Sequence, residues 1–196
     1  MIGHFLYLIL RCVYENTLED TLWISHVGTL IGGIGAVRQS RVMISTALVA
    51  LIGHHSFWLI DTLTWFITGS FPFGTTTYLQ EADIFGWLKS SNHFFSMPLL
   101  LVLIFYQNGI AKHAWLWASL LFAILALLSF FISPEISNVN SIHHLWPGLD
   151  QSVLEGLDNF PPPFFVGSII LLNMFFNYLP GYLVLIALFG IAHNEN

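Results

Sequence analysis

Two adjacent histidines and an aspartate stand inside an otherwise apolar run, ALIGHHSFWLIDTLTWF, residues 50–66. Imidazole nitrogens and carboxylates are donors for zinc, iron and copper, and the same groups carry protons in pumps and transporters. On a helix, His54, Trp58, Asp61 and Trp65 fall at i, i+4, i+7 and i+11 and share one face, with His55 about 100° round from it. An acid within a membrane span is costly, about 2.5–3.5 kcal/mol on insertion scales, so Asp61 is expected to face a bundle interior with a partner. That partner is not a cation of the predicted spans, which contain no Lys or Arg. A histidine, a metal ion or a bound proton must balance it.

Other polar residues are available to converge on this face. His26 follows Trp23 and Ser25, the run SSNHFFSMP brings Asn92, His93 and Ser96, and NVNSIHHLWPG brings Asn138, Asn140, His143 and His144. Asn173 and Asn177 lie at i, i+4 further on. The expected ligands of a divalent transition metal (zinc, iron or copper) are drawn from His26, His54, His55, His93, His143 and His144, with Asp61 as the expected catalytic residue. Seven helical residues rise about 10.5 Å, so His54 and Asp61 do not suit a single ion as joint ligands. Asp61 would instead orient a ligand histidine through its other ring nitrogen, or serve a second ion. No HExxH, HxxHH or CxxC pattern occurs. The plainer expectation for any one of these histidines is a hydrogen bond to a neighbouring carbonyl. His4, His113 and His193 fall at predicted span ends as ordinary interfacial residues.

The elements that must position these groups are membrane helices. Of 196 residues, 56% are hydrophobic and 8% charged, far below the roughly one quarter charged of a soluble domain. The expected fold is a polytopic all-α bundle, one transmembrane domain over residues 1–196. Its five spans lie at about 22–37, 42–67, 93–106, 114–132 and 164–192, the third lengthened backwards through DIFGWLKSSN. Residues 2–14 read as an interfacial or re-entrant helix rather than a signal peptide, since no basic residue precedes the apolar centre. The all-apolar span 114–132 is expected to be the most lipid-exposed, and the long last span to tilt or break at Pro180-Gly181. Most tryptophans, Trp146 among them, read as belt residues, whereas Trp58 and Trp65 are expected to line the Asp61 cavity.

Arg38, Arg41 and Lys112 lie in short connections and place those connections in the cytoplasm, with the N-terminus and the two long connections outside and the C-terminus inside. Arg11 and Lys89 fall on the opposite side. The expected setting is a bacterial inner membrane. Five Lys and Arg in all, with no basic patch, exclude nucleic-acid binding. The single cysteine, Cys12, excludes an internal disulfide. Gly28 and Gly32 permit close helix approach, within the chain or between copies in a homo-oligomer.

These readings point to a membrane-embedded metal-dependent enzyme with a His/Asp site open to the outer leaflet. Its partners would be membrane lipids and an apolar, lipid- or quinone-like substrate. The alternatives are a small proton- or cation-coupled transporter or channel, and an accessory subunit of a membrane complex.

Overall fold

A computed structural model describes residues 1–145 and 155–192. Trp146 and His193 lie outside the described residues. The described chain is an all-α bundle whose helices are α1 (Ile2–Glu15), α2 (Ile24–Arg38), α3 (Arg41–Thr68), α4 (Ile84–Ser90), α5 (Asn92–Tyr106), α6 (Ala114–Ile132), α7 (Pro162–Leu172) and α8 (Leu179–Phe189). Four helical stretches are long and apolar enough to cross a membrane: Arg41–Thr68, Ile84–Tyr106, Ala114–Ile132 and Pro162–Phe189. The third expected span does begin at the DIFGWLKSSN segment. The first is shorter than the others, since the 15 residues of α2 rise about 22 Å against a hydrocarbon core of about 30 Å.

α3 occupies the centre, packed against α2, α5, α6 and α8. Small residues set its distance from α2 and α5. A Cβ on Gly28 would meet Leu51 Cδ2 at 2.7 Å, and one on Gly32 would meet Leu100 Cδ2 at 2.8 Å and Ala47 Cβ at 3.3 Å. Both glycines are therefore buried against neighbours within the chain.

The expectation that α6 is the most exposed span is corrected by its packing. A third of its apolar window is buried (33%), against 22% for Pro162–Phe189. Uniform apolarity says nothing about which side packs. Ala114, Ala118, Ser119, Ala126 and Ser129 give α6 a small-residue face that is buried, and α6 lies against α3. The last span is irregular one turn before the expected point, where Asn173–Tyr178 is π-helical ahead of Pro180. Proline lacks the N–H that would close the preceding turn, so the ladder slips there.

The two ends of the bundle differ. At the short-turn end Arg38, Arg41 and Lys112 lie near the turn, Ile110 N–H donates to the Gly190 carbonyl (3.0 Å), and Ala192 N–H donates back to Ile110 (3.1 Å). The other end carries the long connections. Asn140 ties them down: its Oδ1 accepts from Ile24 N–H (2.9 Å), and its Nδ2 donates to the Leu22 carbonyl (2.9 Å) and Ser129 Oγ (3.2 Å). The two cations on this loop-rich end are paired with acids. Lys89 Nζ lies 2.7 Å from Asp20 and 3.4 Å from Glu15, and Arg11 lies 2.7 Å from Glu15. Pairing explains why they break the charge asymmetry seen in the sequence.

Candidate functional site: a buried histidine centre

Asp61 is wholly buried, and the connection after α3 explains why. Its Oδ1 accepts from Phe73 N–H (2.8 Å), and its Oδ2 from Thr76 N–H (2.9 Å), Thr76 Oγ1 (3.0 Å) and Thr75 Oγ1 (3.0 Å). Four donors from residues 73–76 occupy both oxygens, so the carboxylate is the clasp that folds this connection onto α3. These bonds give the acid a structural task on α3. His54 and Asp61 share a helix face about 10.5 Å apart along the axis, and their hydrogen-bond partners come from different elements, Tyr178 for the one and residues 73–76 for the other. Trp65 stacks on Phe71 and Trp87 instead of lining a cavity beside Asp61.

The adjacent histidines diverge. His54 turns toward α6 and the π-helical turn, where its Nε2 lies 3.3 Å from Tyr178 Oη, its ring stacks with Phe122 and Asn173 reaches the same side chain. His55 turns toward α5. It is fully buried, both its ring nitrogens lack a hydrogen-bond partner, and its ring centre is 4.4 Å from that of His93.

His93 is held on three sides. Its Nδ1 donates to the Ser90 carbonyl (2.9 Å). A carbonyl can only accept, so the proton sits on Nδ1 and Nε2 keeps its lone pair. Trp58 stacks on the ring at 4.6 Å and 14°, and is itself fixed by donation from Nε1 to Tyr78 Oη (2.9 Å). Tyr78 Oη shares a further hydrogen bond with Ser90 Oγ (3.0 Å). Burial pushes the Tyr78 phenol up from its ordinary pKa, against the opposing bonds from Ser90 and Trp58, so it stays protonated within this chain of contacts.

Beside His93, Asn92 clamps α5 onto α2, its Nδ2 donating to the Ser25 carbonyl (3.0 Å) and Thr29 Oγ1 (3.3 Å), while its Oδ1 is buried without a partner. One turn on, Thr29 and Ser96 hydroxyls meet at 2.9 Å. This places His26, next to Ser25, in the electrostatic field of His93, and His26 Nδ1 is another buried nitrogen without a partner. His4 completes the series from α1, 6.4 Å from His26 between ring centres. Burial, then the neighbouring amino terminus, holds His4 below the usual histidine range, against a hydrogen bond that its ring donates to the Lys89 backbone. Four helices thus contribute one histidine each: His4, His26, His55 and His93.

His143 and His144 stay at the loop-rich end, their N–H groups both capped by Asn138 Oδ1 (3.0 and 3.2 Å), with the His143 ring against Phe130. Three expected ligands, His26, His55 and His93, are therefore brought to one region, and His54, His143 and His144 are not. His4, taken from sequence as interfacial, belongs with the first group. Its signal was present: His4, Leu8 and Cys12 form an i, i+4, i+8 stripe, of which Leu8 and Cys12 are fully buried. Nothing in the sequence pointed to Tyr78 or Ser90.

The donors suit a transition metal in kind: neutral imidazoles with unpartnered nitrogens, one with its tautomer set by a backbone carbonyl. In placement they stop at a pair, since among the described residues no three ligating side chains converge on one point. No family model, no curated protein and no solved structure matches this chain.

Proposed function

We propose that this multi-pass membrane protein is a metal-dependent enzyme. His55 and His93 would hold a divalent transition ion, zinc, iron or copper, with His26 as the adjoining donor, and the substrate would be an apolar molecule taken from the bilayer. One observation carries the reading: a fully buried imidazole with two unpartnered nitrogens, lying against a second whose lone pair is oriented. Leaving such an atom unsatisfied costs about 1–3 kcal/mol, and a bound ion would remove that cost at the nitrogen it coordinates. When bound, the ion would supply Lewis acidity or an activated water. The chain's own residues have separate tasks. Ser90 keeps the proton on His93 Nδ1, Trp58 covers the ring against water, Asn92 holds α5 against α2, and Asp61 positions the connection that bears Tyr78.

The loop-rich end is assigned to the outer side and the end with Arg38, Arg41 and Lys112 to the cytoplasm, on charge asymmetry, in a bacterial inner membrane. A second reading, a proton- or cation-coupled carrier, draws support from the series His4, His26, His93 and His55. It is disfavoured because the one buried carboxylate among the described residues, Asp61, is engaged by its four donors. Elemental analysis of the purified protein tests the choice, with about one equivalent of transition metal expected. Metal-free native protein, together with transport in sealed vesicles that follows a pH gradient at constant outer pH, would replace the enzyme reading with the carrier.

A further inference from the structure

On the outer face of the bundle, α3 meets the π-helical turn Asn173–Tyr178 and α8 in an open groove of about 280 Å³, whose walls include Gly53, Ser56, Phe57, Phe176, Asn177 and Val184. Its depth in a membrane follows from the two spans that form it. Gly53 lies 12 residues from Arg41 and 15 from Thr68, and Asn177 lies 15 from Pro162 and 12 from Phe189. Both stand at the middle of their spans, about 15 Å from either edge of a hydrocarbon core about 30 Å thick. Lipid headgroups and interfacial water do not reach that depth.

One polar group in the groove has needs that the chain leaves open. The Asn177 carboxamide rests on the α3 backbone, where a Cβ at Gly53 would take the place of its Oδ1. Its Nδ2 donates to Asn173 Oδ1 at 3.3 Å, and its Oδ1 accepts no hydrogen bond among the described residues. An amide nitrogen carries two N–H groups, so one donor and one acceptor remain side by side. Ser56 is already engaged, its Oγ donating to Met97 Sδ at 3.9 Å. Acyl chains offer an amide nothing, and leaving it unmatched in hydrocarbon is costly. A second carboxamide at the same depth supplies both complements. Copies of one chain insert in the same orientation, so the axis of a two-fold dimer runs along the membrane normal, and a residue near that axis meets its own counterpart at equal depth. The surrounding surface is open to such a contact. Phe176 and Val184 are 78% and 53% exposed, and Pro162–Phe189 is the least covered of the four spans.

We propose that a second copy of this chain covers the groove in a two-fold symmetric dimer, with the two Asn177 carboxamides paired across the axis and the Phe176 rings packed beside them. Hydrogen bonds between side chains of neighbouring spans hold membrane helices together in this way. The interface is distinct from the Gly28 and Gly32 face of α2, and it is independent of the histidine centre and of the metal reading.

The test uses the full chain reconstituted into phosphatidylcholine vesicles, with copies per complex counted by single-molecule photobleaching as the protein is diluted in lipid. The native protein is expected to pass reversibly from dimer to monomer on dilution. Asn177→Leu should weaken association by about tenfold, the scale of an interhelical hydrogen-bond pair in a membrane, and Asn177→Gln, which keeps the carboxamide, should retain most of it. A two-fold contact also joins one position to itself. Val184→Cys should therefore cross-link between copies under mild oxidation, and Leu120→Cys, on an exposed part of α6, should not. A native protein that is monomeric at every dilution overturns the proposal whether or not the variants fold. Cross-linking through position 120 in place of 184 overturns it in favour of another face, and native-strength dimers of Asn177→Leu overturn the paired carboxamides.

Discussion

Two polar spots on α3, six residues apart, are both fully buried and differ in every other respect. Asp61 is surrounded by donors, four of them within 3.0 Å, from the connection it anchors. His55 has no hydrogen-bond partner at either nitrogen. A buried polar group that is satisfied stabilises the fold, and one that is not is a cost the fold carries, of about 1–3 kcal/mol. The difference teaches that burial and charge, which mark a residue as unusual, do not separate a structural acid from a ligand site. Partner count does. His54 falls between them, buried among aromatic rings with Tyr178 and Asn173 as partners.

The contrast breaks most visibly at Asp61. Asp61→Ala leaves four donors without an acceptor and is expected to lower stability by about 2–4 kcal/mol. Limited proteolysis should then cut within residues 69–83, while metal bound per folded molecule stays at the native value. Loss of metal at unchanged stability would return Asp61 to the site.

The mirror image is expected at the histidine centre. His55→Leu removes two unpartnered nitrogens and places apolar atoms among apolar neighbours, so its thermal stability should stay within about 1 kcal/mol of native or exceed it. Its metal content should fall by at least about tenfold, as should that of His93→Ala. A His55→Leu protein that is strongly destabilised and keeps its metal would show that the imidazole is a packing residue.

A smaller effect is expected next door. His54→Ala loses a hydrogen bond and a ring contact, for about 1–2 kcal/mol in stability, with metal content unchanged. Elemental analysis of this variant beside His55→Leu reads the comparison directly, because the two positions are neighbours in sequence and differ only in direction. The smallest change is expected for His113→Ala, an exposed position before α6. Neither melting temperature nor metal content should move outside error.

The membrane class, the helical elements and the helix face carrying Asp61 follow from sequence alone, because hydropathy over about twenty residues and a 3.6-residue period are local properties. So does the pairing of Gly28 with Gly32 as a close-approach stripe. What local rules cannot supply is the direction in which a neighbour comes. His54 and His55 carry the same side chain 100° apart, and only the packing of α5 on one side and of α6 with the Tyr178 turn on the other makes one a partnered core residue and the other a candidate ligand. The same limit explains Asp61. Its acceptors are filled by Phe73, Thr75 and Thr76, whose approach depends on a connection that turns back onto α3 after Gly69, a left-handed position with φ 75°. It explains His4 as well, which joins His26 only because Met1 and Ile2 lie against Gly33 of α2, where a Cβ would meet them at 2.9 Å. Residue types and spacing determined which chemistry was present. Long-range contacts decided which of those groups were already satisfied, since a hydrogen bond between distant segments leaves no periodic trace in either one.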